Sequence, residues 1–359
     1  MPDSAIGDII VRLTLGGNIR VEDLAVILSA SDTGTLRYLH DTADEVRKKT
    51  VGNAVLLRGI IETSNICHQH CRYCGLRKEN TKIHRYRMAE GEILAVAKKI
   101  SACGISTVVL QSGEDLMAAD RICALIRKIK EETDLFVTLS IGERGYEDYR
   151  AFRKAGADRY LLKHETASKA LFESLRPGSS YENRRRCLLR LKELGYETGA
   201  GNLVGLPGQD VNDLAADLLY LRDLPADMIG IGPFIAHPDT PLAEFPGGSG
   251  EMTLKVVSLA RLLLPKANIP ATTALGVLEK DGRRKALLAG ANVVMLDFTP
   301  ESYRIHYDIY PGKTHVATEM DGYLEVLKKE LQSIGRTVGR DRPLESGLKN
   351  GFQAGPNKA

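Results

Sequence analysis

Apolar positions along most of the chain follow two alternating patterns, short continuous runs and longer stretches with helical spacing. From residue 54 onward, eight runs have the length of a strand: 54–62, 106–110, 136–141, 159–164, 197–205, 228–233, 269–274 and 292–297. The stretches between them repeat apolar residues every three or four positions, as one face of a helix does. They include 89–102, 119–132, 147–155, 182–194, 210–222, 253–264 and 279–289. This alternation predicts a parallel barrel rather than an open sheet.

The glycines and the chain ends complete this prediction. Several predicted helices are followed by a glycine suited to a left-handed C-cap, namely Gly104, Gly156, Gly195 and Gly290. Residues 5–50 carry helical spacing, whereas 340–359 are polar, glycine-rich and aperiodic. We therefore predict an α/β fold, a complete (β/α)8 TIM-type barrel at 51–300. A helical extension occupies 1–50 and a short C-terminal extension 301–359, whose last ~20 residues are expected to be flexible.

The charge balance and the apolar pattern of the chain limit the kinds of partner that we expect it to bind. Lys plus Arg number 49 and Asp plus Glu 46, a balance that gives no broad electrostatic basis for binding nucleic acid. No apolar run approaches the length of a membrane span, and the first residues lack a secretory pattern. We expect a cytoplasmic protein with a small-molecule substrate and no membrane or nucleic-acid partner. Cys103, Cys123 and Cys187 fall within apolar helical patterns and are expected in the core.

The remaining cysteines, Cys67, Cys71 and Cys74, have the spacing C-x3-C-x2-C directly after the first predicted strand. Three thiolates so spaced can hold one corner of an iron-sulfur cube and leave the fourth iron open for a ligand. The alternative is a structural zinc site completed by His68 or His70. Zinc sites usually present paired C-x2-C units, and the sequence has no second pair, so the cluster is favoured.

This motif resembles that of the radical S-adenosylmethionine (SAM) enzymes, and Tyr73 matches the aromatic residue that they usually carry between the last two cysteines. The resemblance implies a [4Fe-4S] cluster on the three cysteines, with SAM bound at the open iron. It further implies reductive cleavage of SAM to a 5′-deoxyadenosyl radical.

Polar residues at the predicted strand ends offer partners for SAM, because a barrel gathers its chemistry at that rim. Gly113 would allow the backbone to approach the methionyl amine, and Gln111, Ser112 or Glu114 could accept hydrogen bonds from it. Arg184 could bind the carboxylate through two parallel hydrogen bonds.

Two further positions suit the rest of SAM. Glu165 could accept from the ribose hydroxyls. The stretch 201–208, which contains Leu203, could form a shelf for adenine. A tight turn between strand and helix explains the same glycine-rich pattern equally well.

A closer resemblance, covering about residues 50–315, is to the HydE family of radical SAM maturases, which help to build the two-iron subcluster of [FeFe]-hydrogenase. It is carried by the segments 74–77, 85–88, 108–115, 155–167, 191–201, 204–209, 229–242 and 269–274. The resemblance implies SAM contacts near Tyr73, Ser140, Glu165, Arg184 and Leu203. It also implies a substrate cavity lined by Thr138, Lys163, Thr272, Thr273, Met295, Tyr307 and Tyr310.

The implied reaction is attack of the adenosyl radical on a small sulfur-containing iron-cysteine precursor, with maturation partner proteins and an electron donor such as ferredoxin or flavodoxin. From the residues alone, Thr272 and Thr273 fit ordinary β-propensity equally well. Met295 would be interpreted as core, and Tyr307 and Tyr310 could cap one end of the barrel.

Two departures from the family pattern bear on function. In the HydE family, which this chain resembles, many members carry Arg at the position of Lys163. Lys binds an anion as a point charge and cannot form the two parallel hydrogen bonds of an arginine guanidinium. No cysteine follows Cys187, so we expect no accessory C-terminal cluster. Two alternatives stay open. The first is a HydE-like paralogue acting on another small molecule, such as a methylornithine-synthase-like mutase. The second is a non-catalytic iron-sulfur carrier or scaffold.

Overall fold

Parallel strands form the centre of the structure, a computed structural model that describes residues 4–313 and 320–341. The strands are β1 Ala54–Ser64, β2 Thr107–Ser112, β3 Phe136–Ser140, β4 Ala157–Leu161, β5 Glu197–Ala200, β6 Leu203–Val204, β7 Met228–Ile229, β8 Gly232–Pro233, β9 Val293–Asp297 and β10 Thr337–Gly339. The helices are α1 Ser4–Thr14, α2 Val21–Ser29, α3 Thr33–Val51, α4 Glu90–Ala102, α5 Ala119–Glu132, α6 Tyr146–Ala155, α7 Lys169–Leu175, α8 Tyr181–Glu193, α9 Val211–Asp223, α10 Gly250–Leu263, α11 Thr273–Leu278, α12 Gly282–Leu288, α13 Glu301–Arg304 and α14 Met320–Ser333.

Hydrogen bonding links the strands in the order β9-β1-β2-β3-β4-β5-β7, all parallel. Single bridges from Met228 to Asn268 and from Pro270 to Val293 close the ring through residues 268–270. This is the TIM-type α/β barrel expected from the alternation of strands and helices. The short sheet β6-β8 stands beside the ring.

The seventh barrel position differs from the prediction. Residues 269–274 were expected to form a strand, but only Asn268 and Pro270 bridge to neighbouring strands, and α11 begins at Thr273. A proline lacks the backbone N–H that a regular ladder needs, which keeps this strand short. Helices α7, α11, α13 and α14 and strand β10 were not predicted.

Helix ends and the N-terminal helices agree with the sequence pattern. Gly104, Gly156, Gly195 and Gly290 all have positive φ, as C-cap glycines do. The extension at the start of the chain comprises α1, α2 and α3, which pack against α9 and α10 on the outside of the barrel. Cys123 and Cys187 are buried in the core as expected, and Cys103 is half-buried. Within the described ranges, every helix is too short or too polar to cross a bilayer.

The C-terminal segment closes the floor of the barrel. Strand β10 pairs with the start of β1, and Asp341 is buried at 1% exposure. Its Oδ2 atom accepts hydrogen bonds from Arg58 Nε at 2.8 Å and from Thr107 Oγ1 at 2.8 Å. Asp341, at the start of the last ~20 residues, is thus held by buried hydrogen bonds. Residues 342–359 lie outside the described residues.

Candidate active site

A cavity of about 440 Å³ opens at the carboxyl ends of the barrel strands. Most of the predicted site residues line it: Cys67, Cys71, Tyr73, Cys74, Gln111, Ser112, Gly113, Lys163, Glu165, Leu203, Thr272, Thr273, Met295, Tyr307 and Tyr310. Three predicted residues do not line it, namely Thr138, Ser140 and Arg184. The structure thus brings the cysteine loop, residues 64–78, and six of the seven predicted substrate residues to one cavity.

Arg85 stabilises the conformation of the cysteine loop through hydrogen bonds to its backbone. Its guanidinium donates to the carbonyl oxygens of Asn65 at 2.7 Å, Leu76 at 2.9 Å and Arg77 at 2.7 Å. These acceptors lie at both ends of the loop, so one cation fixes the distance between them. Sequence reasoning noted Arg85 within a family segment but gave it no role. The Arg85 guanidinium also donates to the Asn80 carbonyl at 3.1 Å, and hydrogen bonds to four backbone carbonyls explain why arginine suits the position.

Two glycines allow close backbone approach at this loop. A Cβ atom at Gly75 would lie 2.0 Å from the Asp308 carbonyl oxygen, and one at Gly113 would lie 2.3 Å from the Ile66 carbonyl oxygen. Gly113 was predicted for close approach to SAM, and here it also packs against the cysteine loop. The cysteine loop is therefore held between the end of β2 and the 308–309 segment.

The three cysteine thiols are free and face the cavity. Burial raises the pKa of each thiol, that of Cys71 to about 11, while Arg176 opposes the shift. In the described part of the chain, no three His, Cys, Asp or Glu side chains converge tightly enough to hold a single ion. In a cube each iron takes one thiolate, so the sulfurs need not meet at a point. The donor set fits a [4Fe-4S] cluster, whose irons would replace the thiol protons.

Glu114 organises the charges beside the cysteines. Its Oε1 atom accepts from Arg176 Nη2 at 2.8 Å and from Arg184 Nη2 at 3.0 Å, and its Oε2 atom accepts from Gln69 Nε2 at 2.9 Å. Burial alone would raise the pKa of Glu114, but the two arginines outweigh it and hold the pKa below its ordinary value. Glu114 is therefore an ionised anchor whose acceptor sites are already used.

Arg184, which is predicted to bind the SAM carboxylate, and Arg176, which the sequence did not single out, differ in their hydrogen-bond partners. Arg184 donates through Nε to Glu143 at 2.6 Å, through Nη1 to the Lys163 carbonyl at 2.8 Å and through Nη2 to Glu114. Arg176 lines the cavity, and its buried Nε has no hydrogen-bond partner. Arg176 Nη1 lies 3.8 Å from Glu165 Oε1, so the Arg176 guanidinium stands at the cavity wall, whereas Arg184 does not line the cavity. Arg176 directly follows the short unpredicted helix α7 as its C-cap residue, and no sequence signal marked it.

Glu165 has an unusual backbone conformation, with φ of 68°. Its N–H donates to the Gly201 carbonyl at 3.0 Å, and its carbonyl accepts from Leu203 N–H at 2.9 Å. These bonds hold a conformation that costs about 1–2 kcal/mol for a residue with a Cβ. The Glu165 carboxylate and the Leu203 side chain consequently lie on the same wall of the cavity.

Lys163 and five other predicted substrate residues line the same cavity. Lys163 Nζ lies 3.9 Å from Glu165 Oε2, and burial lowers the pKa of Lys163. The Thr272 hydroxyl is buried without a hydrogen-bond partner. Tyr307 OH accepts from Gln111 Nε2 at 3.3 Å, so this tyrosine connects the C-terminal segment with β2. Met295 and Tyr310 are half-buried cavity residues rather than closed core.

Thr138 and Ser140 lie on β3, outside the cavity lining. The Thr138 hydroxyl is buried and unpartnered, and Ser140 is half-buried next to Gln111 in the β2-β3 register.

His68 and His70, the alternative zinc ligands, make contacts elsewhere. A His68 ring nitrogen contacts the Glu114 carbonyl, and a His70 ring nitrogen contacts the Glu79 carboxylate. Neither imidazole is directed at the cysteine sulfurs by these contacts.

The chain is similar in sequence and in structure to known proteins. The Radical SAM superfamily model matches residues 61–221. The chain is 50% identical over 321 residues to "[FeFe] hydrogenase maturase subunit HydE" of Thermotoga maritima, covering 89% of this chain and 92% of that protein. It is 32% identical over 286 residues to 3-methylornithine synthase of Methanosarcina acetivorans, covering 79% and 81%. A crystal structure of methylornithine synthase superposes with a TM-score of 0.82 at 28% identity, covering 92% of this chain and 97% of that one.

Proposed function

Because the chain belongs to the HydE family of the radical SAM superfamily, we propose that it acts in the maturation of the [FeFe]-hydrogenase active-site cluster. Enzymes of this superfamily use a [4Fe-4S] cluster and SAM. The observation that carries the proposal is the single chamber in which three free thiols face the predicted substrate residues. The substrate is proposed to be a small sulfur-containing precursor of the iron-cysteine type.

Cys67, Cys71 and Cys74 would hold the cluster, which would supply the one-electron reduction needed for cleavage of SAM. The residues of the chain orient and shield the reactants. Arg176 binds the methionyl carboxylate, and Glu165 accepts hydrogen bonds from the ribose. Tyr73 packs edge-on against Phe234 at 5.7 Å between ring centroids and forms an apolar wall beside the cysteines. Enclosure within the barrel keeps water away from the radical.

The electron must come from outside the chain. We propose a small protein donor such as ferredoxin or flavodoxin, supported by the exposed Arg72 and Lys78 side chains on the cysteine loop, which suit an acidic partner. We propose a cytoplasmic location, supported by free thiols that need a reducing compartment. Further maturation proteins would receive the product.

The proposal is tested by anaerobic reduction of the cluster-loaded chain with SAM. We expect 5′-deoxyadenosine to appear at a rate that rises when the iron-cysteine precursor is added, measured by chromatography with mass detection. A non-catalytic carrier would retain the cluster without forming 5′-deoxyadenosine. A methylornithine-synthase-like mutase would respond to an amino acid substrate in place of the precursor. The HydE assignment is preferred over the mutase because identity to HydE is 50% and to the synthase 32%.

Lys163 is expected to bind the anionic part of the substrate. Its side chain is 28% exposed, toward the cavity, and burial lowers its pKa, so its ammonium lacks full solvation. Lys163→Ala should weaken substrate binding by about tenfold, the typical loss of a charged hydrogen bond. Stimulation of 5′-deoxyadenosine formation as a function of precursor concentration measures this. Loss of bound iron in the same variant would instead place Lys163 in the cluster environment.

A further inference from the structure

Two carboxylates line the cavity from the adjacent strands β1 and β9. Glu62 ends the apolar run of β1 and is 1% exposed, and Asp297 ends the neighbouring strand β9. The Glu62 N–H donates to Thr299 Oγ1 at 2.9 Å, and Thr299 N–H donates to Asp297 Oδ1 at 2.9 Å. One oxygen of each carboxylate, Glu62 Oε2 and Asp297 Oδ2, is buried without a hydrogen-bond partner. Both side chains line the cavity.

An ammonium group already occupies the space between these carboxylates. Lys313 Nζ contacts Glu62 Oε1, lies 3.5 Å from Asp297 Oδ2 and stands 4.8 Å from the centroid of the Tyr307 ring. Two carboxylates and an aromatic face are the surroundings that an alkylammonium ion prefers. Lys313 belongs to the segment after α13 and not to a barrel strand. A residue from outside the barrel strands therefore supplies the ammonium group.

With Lys313 in place, one oxygen of each carboxyl group still lacks a hydrogen-bond partner. Burial is the main reason why the pKa of Glu62 rises to about 8, with Asp297 adding to the rise and Lys313 and Arg304 opposing it. Arg304 is itself buried, and its Nε lacks a hydrogen-bond partner. A second cation, or one closer than Lys313, would satisfy the unpartnered oxygens of both carboxylates.

We propose that Glu62 and Asp297, with the face of Tyr307, form a subsite for the ammonium group of an amino acid ligand, and that Lys313 is its internal occupant when no ligand is bound. The ligand class is an α-amino acid or a metal complex of one, because a primary ammonium donates three hydrogen bonds and the two carboxylates have free acceptors. Lys163 stands in the same cavity and can meet a negatively charged group. This inference deepens the proposed function and rests on it.

The experiment compares two probes that differ only in the ammonium group, L-cysteine and 3-mercaptopropionate. Each is titrated calorimetrically and anaerobically into the chain loaded with cluster and SAM. We expect L-cysteine to bind roughly 10- to 100-fold more tightly than 3-mercaptopropionate, as a charged hydrogen bond would provide. Glu62→Gln and Asp297→Asn should each reduce this ratio toward one. Because the ratio is taken within one variant, a partial loss of folded protein does not distort it.

Lys313→Met should change the preference for L-cysteine in the direction opposite to the two carboxylate substitutions. Removing the internal occupant should strengthen L-cysteine binding by several-fold and increase the preference over 3-mercaptopropionate. Glu301→Gln, which neutralises an exposed carboxylate in α13, is the matched control and should leave the ratio unaltered. Weaker L-cysteine binding in Lys313→Met would show that Lys313 is a structural tie.

Three other results overturn the inference: no binding of either probe to Lys313→Met, equal affinities for both probes, or a preference that survives both carboxylate substitutions. The same wild-type sample is assayed for 5′-deoxyadenosine. Absence of that product contradicts the proposed function whatever the probes do. Formation of the product without an ammonium preference contradicts only the subsite.

Discussion

Cys71→Ala should abolish both the iron-sulfur cluster and SAM cleavage. Cys71 is the most buried of the three loop cysteines, at 6% exposure, and lines the cavity between its two partners. Two remaining thiolates cannot hold a cube that takes one thiolate on each of three irons. We expect the absorption band at roughly 400 nm to disappear. We expect 5′-deoxyadenosine formation to fall by about three orders of magnitude or more, as loss of a catalytic metal centre does.

The matched control for this prediction is Cys123→Ala, which removes a buried thiol from α5, away from the cavity. Iron content, absorption and 5′-deoxyadenosine formation should all stay at wild-type levels, because Cys123 contributes only packing. A Cys71→Ala protein that kept either its cluster or its cleavage activity would require a different set of ligands. Loss of the cluster in Cys123→Ala would show that iron content reports folding rather than ligation.

Arg176→Gln should weaken SAM binding by roughly 10- to 100-fold while the cluster is retained. Arg176 lines the cavity together with the three cysteines and Arg184 does not, so the Arg176 guanidinium can donate to the methionyl carboxylate. Glutamine keeps one amide donor but loses the charge and the bidentate fork. The dissociation constant is measured from the change in the cluster spectrum on adding SAM under anaerobic conditions.

Two further variants make this assignment decisive. Arg186→Gln removes a charge from the exposed face of α8 and should bind SAM normally. Arg184→Gln breaks the bonds to Glu143 and Glu114, so we expect lower thermal stability and a smaller direct effect on SAM affinity. If Arg176→Gln bound SAM like the wild type and Arg184→Gln lost affinity at full stability, Arg184 would be the carboxylate ligand.

The sequence by itself determined the features that depend on neighbouring residues. Alternating strand-like and helical runs predicted the barrel, because burial on both faces of a parallel strand leaves a continuous apolar run. The thiol spacing of Cys67, Cys71 and Cys74 predicted the ligand set, because one short loop carries all three. The strand-end positions of Gly113 and Glu165 predicted cavity residues for the same reason, since parallel strands end at one rim.

Only the tertiary structure decided which charged side chains at the carboxyl ends of the strands line the cavity and which are engaged elsewhere. Arg184 and Arg176 look alike in the sequence, but Arg184 bonds to Glu143 and the Lys163 carbonyl outside the cavity lining, whereas Arg176 lines the cavity. In the sequence, Glu62 is a single carboxylate at the end of an apolar run. Its contact with Lys313 could not be predicted, because Lys313 lies 251 positions further along the chain. Hydrogen-bond satisfaction depends on groups distant along the chain, and no local pattern encodes it.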